Sequence, residues 1–153
     1  FITAVLPIIW PMMTKAWHEG DIIWIKKFIN KALIITFIVY FIFLVFSFFF
    51  GVESVYYLSS KEVKTNVLFI ILVGLSSLIL GQFYWVSTFL HSITDFKFEF
   101  KIHIIVALSI SILGGFAIMY YGVNLFILII GLSWGFLGFI PVYFRSLSFL
   151  KQN

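Results

Sequence analysis

Residues 102–144 run for 43 positions without a formal charge. As one helix, at about 1.5 Å per residue, this run spans roughly 65 Å, about twice the hydrocarbon thickness of a bilayer. It must therefore fold back. The turn signal is Tyr-Tyr-Gly-Val-Asn at 120–124, where Gly122 and Asn124 interrupt the apolar pattern. Two other runs, 32–52 and 65–94, are also free of formal charge and hold 21 and 30 residues. Each is long enough to cross a membrane as a helix. The expected fold class is an all-α, polytopic transmembrane helical bundle with complete spans near 32–52, 67–90, 103–121 and 125–144. Residues 1–14 are uncharged but too short to cross, so they are expected to be the end of a truncated helix. The sequence is accordingly expected to be a fragment of a longer protein, forming a single transmembrane domain over 1–153.

Composition closes off other classes. The chain is 63% hydrophobic and 10% charged, against about 25% charged in a soluble domain. With no cysteine, disulfides, thiolate metal sites and cysteine nucleophiles are excluded. The net charge of +4 bears on membrane orientation, because no basic groove with interleaved aromatics marks a nucleic-acid partner. Lys15, Lys26, Lys27, Lys31, Lys97, Lys101, Arg145 and Lys151 fall on one side of the expected spans, and only Lys61 and Lys64 on the other. By the positive-inside rule, the eight-to-two split places the C-terminus in the cytoplasm. Tyr56, Tyr57, Tyr120 and Tyr121 then mark the outer boundary as an aromatic belt.

The segment 6–37 gathers charge between apolar stretches. Gly20 is expected to end one helix and Asp21 to cap the next. Beyond it, Ile22, Trp24, Ile25, Phe28, Ile29 and Ala32 share one helical arc, with Lys26, Lys27, Asn30 and Lys31 opposite and Ile23 misplaced. Residues 15–31 are expected to form a cytoplasmic amphipathic segment, with Trp24, Lys26, Lys27 and Lys31 as an interface anchor. Three rows of small residues are expected to pack helix on helix: Gly74, Ser77 and Gly81; Ala107, Ser111 and Gly115; Gly131, Gly135 and Gly138.

No Asp, Glu, Lys or Arg falls within the expected spans. Such charges usually mark ion and proton sites. Gln82 is the deepest strongly bonding side chain and is expected either to bond a neighbouring helix or, with Tyr84 and Ser77, to line a cavity. His91 and His103, near the cytoplasmic ends of neighbouring spans, are expected to be interface histidines in solvent, the alternative being that they bracket a site. His91, Ser92 and Asp95 match no nucleophile geometry. With no HExxH, phosphate loop or ligand cluster, neither a catalytic residue, a metal nor a cofactor is expected.

The stretch LPIIWPMMTKAWHEGDIIWIKKFINKAL resembles a segment of the bacterial lipid-linked polysaccharide flippases, the O-antigen and capsule exporters with a drug/oligosaccharide-exporter (MATE-like) fold. Trp10, Pro11, Ala16, Gly20, Asp21, Trp24 and Lys27 carry the resemblance. The layout of TDFKFEFK and YYGVN between the later spans is similar too. The resemblance implies the C-terminal lobe of a two-lobed transporter, with the N-terminal lobe of the same protein as its partner; Trp10 and Pro11, where the first helix is expected to end, are expected to form a hinge for lobe motion. It implies a lipid-linked oligosaccharide substrate, contact with membrane lipids and a bacterial inner (plasma) membrane. The implied activity is export by alternating access. A multidrug exporter of the same fold, or a membrane enzyme of envelope polysaccharide synthesis, stays open as an alternative.

Overall fold

A computed structural model describes residues 2–59, 65–93 and 95–152. Lys61 and Lys64, the outer lysines of the charge count, lie outside the described residues. Helix α1 is Ile2–His18, α2 is Ile22–Leu58 and α3 is Val67–Ser92. Two broken helices follow. In α4, Phe96–Tyr120, a π-helical stretch at Ile110–Gly114 interrupts the rod. In α5, Val123–Lys151, another runs through Ser133–Phe139. The described residues contain no strand. Four helices, α2 to α5, are long and apolar enough to cross a membrane, so the chain is an all-α, multi-pass membrane bundle.

The turns follow from local chemistry. Gly20 takes φ +72°, its N–H bonds Trp17 O at 3.1 Å and Asp21 N–H bonds Ala16 O at 2.9 Å, closing a Schellman turn. Asp21 Oδ1 then accepts from Trp24 N–H at 3.0 Å and starts α2. Asn66 caps α3 in the same way through Phe69 N–H at 2.7 Å. Gly122, at φ +86°, reverses the chain between α4 and α5 as the 120–124 pattern anticipates.

Several boundaries differ from the sequence reading. Helix α1 does not stop near Trp10 and Pro11; it contains Pro7 and Pro11 and runs on to His18. Residues 22–31 are not a separate interfacial piece but the opening turns of a 37-residue α2. Their expected arcs are correct: Ile22, Ile25, Ile29 and Ala32 are buried, while Lys26, Lys27, Asn30, Lys31 and the misplaced Ile23 are exposed. The buried arc meets protein, joining Met13 and Ala16 of α1 and Phe83, Val86, Phe89 and Leu90 of α3 in the main core.

Helix α3 is the central post, packed against all four of the others. Polar side chains tie the helices where water is absent. Trp85 Nε1–H donates to Thr36 Oγ1 at 2.7 Å, Ser76 Oγ–H to Ile127 O at 3.1 Å, and Ser109 and Ser133 pair at 3.0 Å. Two small rows pack as expected. A Cβ on Gly74 would stand 2.6 Å from Leu44, and one on Gly131 2.6 Å from Ser76 Oγ. The row on α4 does not: Ala107 and Ser111 are exposed, and a Cβ on Gly115 meets nothing within 4 Å. Each lies one residue, about 100° of helix, past Val106, Ile110 and Gly114, the positions turned toward the bundle.

Candidate functional site

Two helical arcs face each other at the end of the bundle formed by the α3–α4 turn. On α3, Tyr84, Ser87, Thr88 and His91 recur at the spacing of one helix face. On α4, Phe96, Glu99, Phe100 and His103 do the same. Leu6, Pro7 and Trp10 of α1 complete a cleft of about 640 Å³ lined by both arcs.

The chemistry of the cleft centres on Glu99, which is 3% exposed. Charge counting assigns residues 95–101 to a loop, but α4 begins at Phe96 and draws Glu99 into its first turn, inside a membrane-crossing helix. The absence of acidic residues from the spans is thereby corrected. Ser87 Oγ–H donates to Glu99 Oε1, and His91 Nε2 stands 2.5 Å from Oε2, a close contact without hydrogen-bond geometry. Oε1 is hydrogen-bonded, while Oε2 is buried against the His91 ring with no hydrogen-bond partner among the described residues. His91 is therefore not a free interface histidine. Its ring is held edge-on by Trp10, with centroids 6.0 Å apart, and by Phe96, at 5.3 Å. His103 Nδ1–H donates to the Glu99 carbonyl at 3.0 Å. The His103 ring stands edge-on to Phe83 at 5.4 Å and to Trp134 at 5.5 Å.

A second polar contact fixes the start of α4. Arg145 Nε–H donates to Asp95 Oδ2 at 2.9 Å. Its guanidinium lies over the Phe149 and Phe98 rings, at 4.7 Å and 5.5 Å. The end of α5 is thus clamped to the α3–α4 turn. Ser92 bonds its own helix at Phe89 O, so His91, Ser92 and Asp95 serve three different partners and form no triad.

The residues singled out from sequence separate. Tyr84 lines the cleft. Gln82 faces another way: its Nε2–H donates to Leu33 O of α2 at 3.0 Å, and it borders a groove with Phe37, Leu78 and Phe136. Ser77 is half-buried on α3, away from the cleft lining. Trp10 belongs to the cleft, and Pro11 lines the hollow beside it with Thr14 and His18. Trp24 stacks on Phe28 at 5.2 Å, next to the exposed Lys26, Lys27 and Lys31. Sequence reasoning missed Glu99 and Ser87 as a pair. The signal was present in the spacing of Phe96, Glu99, Phe100 and His103, which is helical rather than loop-like.

The arrangement offers aromatic faces, hydroxyls and a buried acid beside an imidazole, one acid oxygen of which has no hydrogen-bond partner among the described residues. That set can hold a polar, hydroxyl-rich group by stacking and hydrogen bonds. Compared with protein-family models, curated proteins and solved structures, the chain matches none.

Proposed function

We propose that the chain is part of an exporter that flips a polyprenyl-diphosphate-linked oligosaccharide across a bacterial inner membrane, for O-antigen or capsular polysaccharide. The observation that carries this reading is the cleft of Trp10, Tyr84, Phe96, Phe100, Ser87 and Glu99 inside an otherwise apolar helical bundle. A lipid-linked glycan needs polar, ring-faced contacts for its sugars while its tail stays among lipids. Aromatic faces pack on the C–H faces of sugar rings, and hydroxyl and carboxylate groups bond their hydroxyls. The resemblance of the 6–33 segment to polysaccharide flippases supports the same substrate. The basic side of the charge split supports a cytoplasmic C-terminus and a cleft that opens toward the cytoplasmic end.

The second reading is a multidrug exporter of the same fold, favoured by the buried carboxylate of Glu99 in an aromatic cleft, a setting suited to an organic cation. Against it, Ser87 occupies Oε1 and the His91 ring stands 2.5 Å from Oε2, where a cation would have to sit. The deciding experiment uses a strain deleted for the gene and complemented with the full-length protein. Restored surface polysaccharide that is lost in Trp10→Ala, with inserted protein unchanged, supports the flippase. Restored resistance to cationic dyes without restored polysaccharide supports the drug exporter.

A further inference from the structure

A second hollow, of about 370 Å³, lies between α1 and α2. Helix α1 separates it from the cleft, turning Val5 and Ile9 to this groove and Leu6 and Trp10 to the cleft. Its α2 wall runs from Lys31 through Ile35 and Val39 to Tyr40. At about 1.5 Å per residue that is roughly 13 Å, close to the depth of one leaflet of a hydrocarbon core about 30 Å thick. Only apolar surface remains on the floor, because the polar atoms of Trp85 and Thr36 bond each other.

Lys31 stands at the mouth, at the edge of the charge-free run of α2, with Lys27 one turn before it. Of the nearby acids, all but Asp21 are in close contact with a basic side chain. Glu19 pairs with Lys15 at 3.7 Å, Asp95 with Arg145 and Glu99 with His91. Asp21 Oδ1 caps α2 through Trp24 N–H. Glu53 lies 22 residues further along α2 than Lys31, roughly 33 Å away along the axis. Among the described residues, Lys27 and Lys31 form no ion pair.

We propose that this groove binds one anionic glycerophospholipid of the surrounding leaflet, with an acyl chain between Ile9, Ile35 and Val39 and the phosphate at Lys31 and Lys27. Positive charge without an acidic partner sits where a headgroup lies, and an apolar channel one leaflet deep leads away from it. The bound lipid splints α1 against α2 on the flank away from the cleft. The site is separate from the proposed glycan cleft, and its test does not require transport.

The test uses full-length protein, delipidated in mild detergent. Retained lipid is counted by native mass spectrometry during titration with phosphatidylglycerol or phosphatidylcholine of identical chains. The expected result is one phosphatidylglycerol bound at least ten-fold tighter than phosphatidylcholine. Lys27→Gln with Lys31→Gln weakens that binding roughly 30-fold, at about five-fold per lysine. Val39→Trp, which fills the groove from a half-exposed position, abolishes it, and Lys97→Gln with Lys101→Gln leaves it unchanged. Helical circular dichroism confirms that each variant is folded. Equal binding of the two lipids overturns the proposal. So does retention of phosphatidylglycerol by the double lysine variant or by Val39→Trp, or occupancy by polyprenyl diphosphate alone.

Discussion

Glu99 shows how a residue's setting decides its part. Its carboxylate is buried; Oε1 accepts from Ser87, and Oε2 lies 2.5 Å from His91 Nε2 without a hydrogen bond. Removing the acid leaves the Ser87 hydroxyl, 5% exposed, without its partner. A buried polar group so stranded costs about 1–3 kcal/mol. Glu99→Leu is therefore expected to lower stability by about that amount in thermal unfolding of the detergent-solubilised protein. Glu99→Gln keeps the shape and an acceptor for Ser87, so its loss is expected to stay below about 1 kcal/mol. If the glycan hydroxyls use this acid, both variants lose export in the complementation strain. Equal stability of the two variants would show that the Ser87 and His91 contacts contribute little. The sequence contained this site only in part. The Phe96, Glu99, Phe100 and His103 spacing is legible, but three charged residues in 95–99 make the stretch look like a loop. What overrides that pattern is tertiary: the Arg145 clamp on Asp95 lets the helix start early, and Ser87 and His91 receive the acid.

Among the elements, legibility tracks how local the cause is. The Gly20–Asp21 break and the Gly122 turn follow from the backbone freedom of glycine and the capping oxygen of Asp21, and both stand where the sequence puts them. The end of α1 does not, because proline forbids one hydrogen bond without forcing a helix in a packed bundle to stop. Pro11 lacks the N–H that would bond the Pro7 carbonyl. Pro11→Ala restores that donor and stiffens α1 beside Trp10. If α1 flexes during transport, the variant is expected to insert normally but export less glycan, measured as surface polysaccharide per inserted molecule. Small-residue rows were legible as rows but not as contacts, since spacing does not say which way a helix faces. Gly131→Ala places a methyl group 2.6 Å from Ser76 Oγ and disturbs its bond to Ile127 O. It is expected to destabilise by about 1–3 kcal/mol. Gly115→Ala meets open space and is expected to be neutral or to stabilise by up to about 1 kcal/mol through helix propensity. Gly135→Ala finds its nearest neighbour, Ile79, at 3.6 Å and is expected to be tolerated. Melting the three variants side by side tests this order, and a Gly115 loss as large as that of Gly131 would mean that α4 packs through its exposed row.

At the scale of the whole molecule, helix count and charge distribution jointly constrain orientation. Four helices long and apolar enough to cross a membrane place residues 15–31, 95–101 and the end of α5 at one end of the bundle, and residues 52–59, 65–66 and 120–124 at the other. The first face carries Lys26, Lys27, Lys31, Lys97 and Lys101, and α5 ends there with Arg145 and Lys151. Most of this charge has no acidic partner; of these cations, only Arg145 is in an ion pair among the described residues. Unpaired lysines near an anionic leaflet are each worth about 1 kcal/mol. Moving them across the membrane would sacrifice that attraction and oppose the positive-inside bias of insertion. A reporter fused after Lys151 is therefore expected to be cytoplasmic, and one inserted near Ser60 external. Replacing Lys26, Lys27 and Lys31 together by Gln weakens the bias by roughly 3 kcal/mol, leaving only Lys15, Lys97, Lys101, Arg145 and Lys151 to favour the same face. The triple variant is thus expected to lower the yield of inserted protein or to give mixed orientation, with export per correctly inserted molecule nearly unchanged. Dual-reporter fusions at both positions measure this directly. An external Lys151 reporter in the unaltered protein overturns the orientation, and a triple variant that inserts normally but loses export shows that these lysines contact the transported substrate.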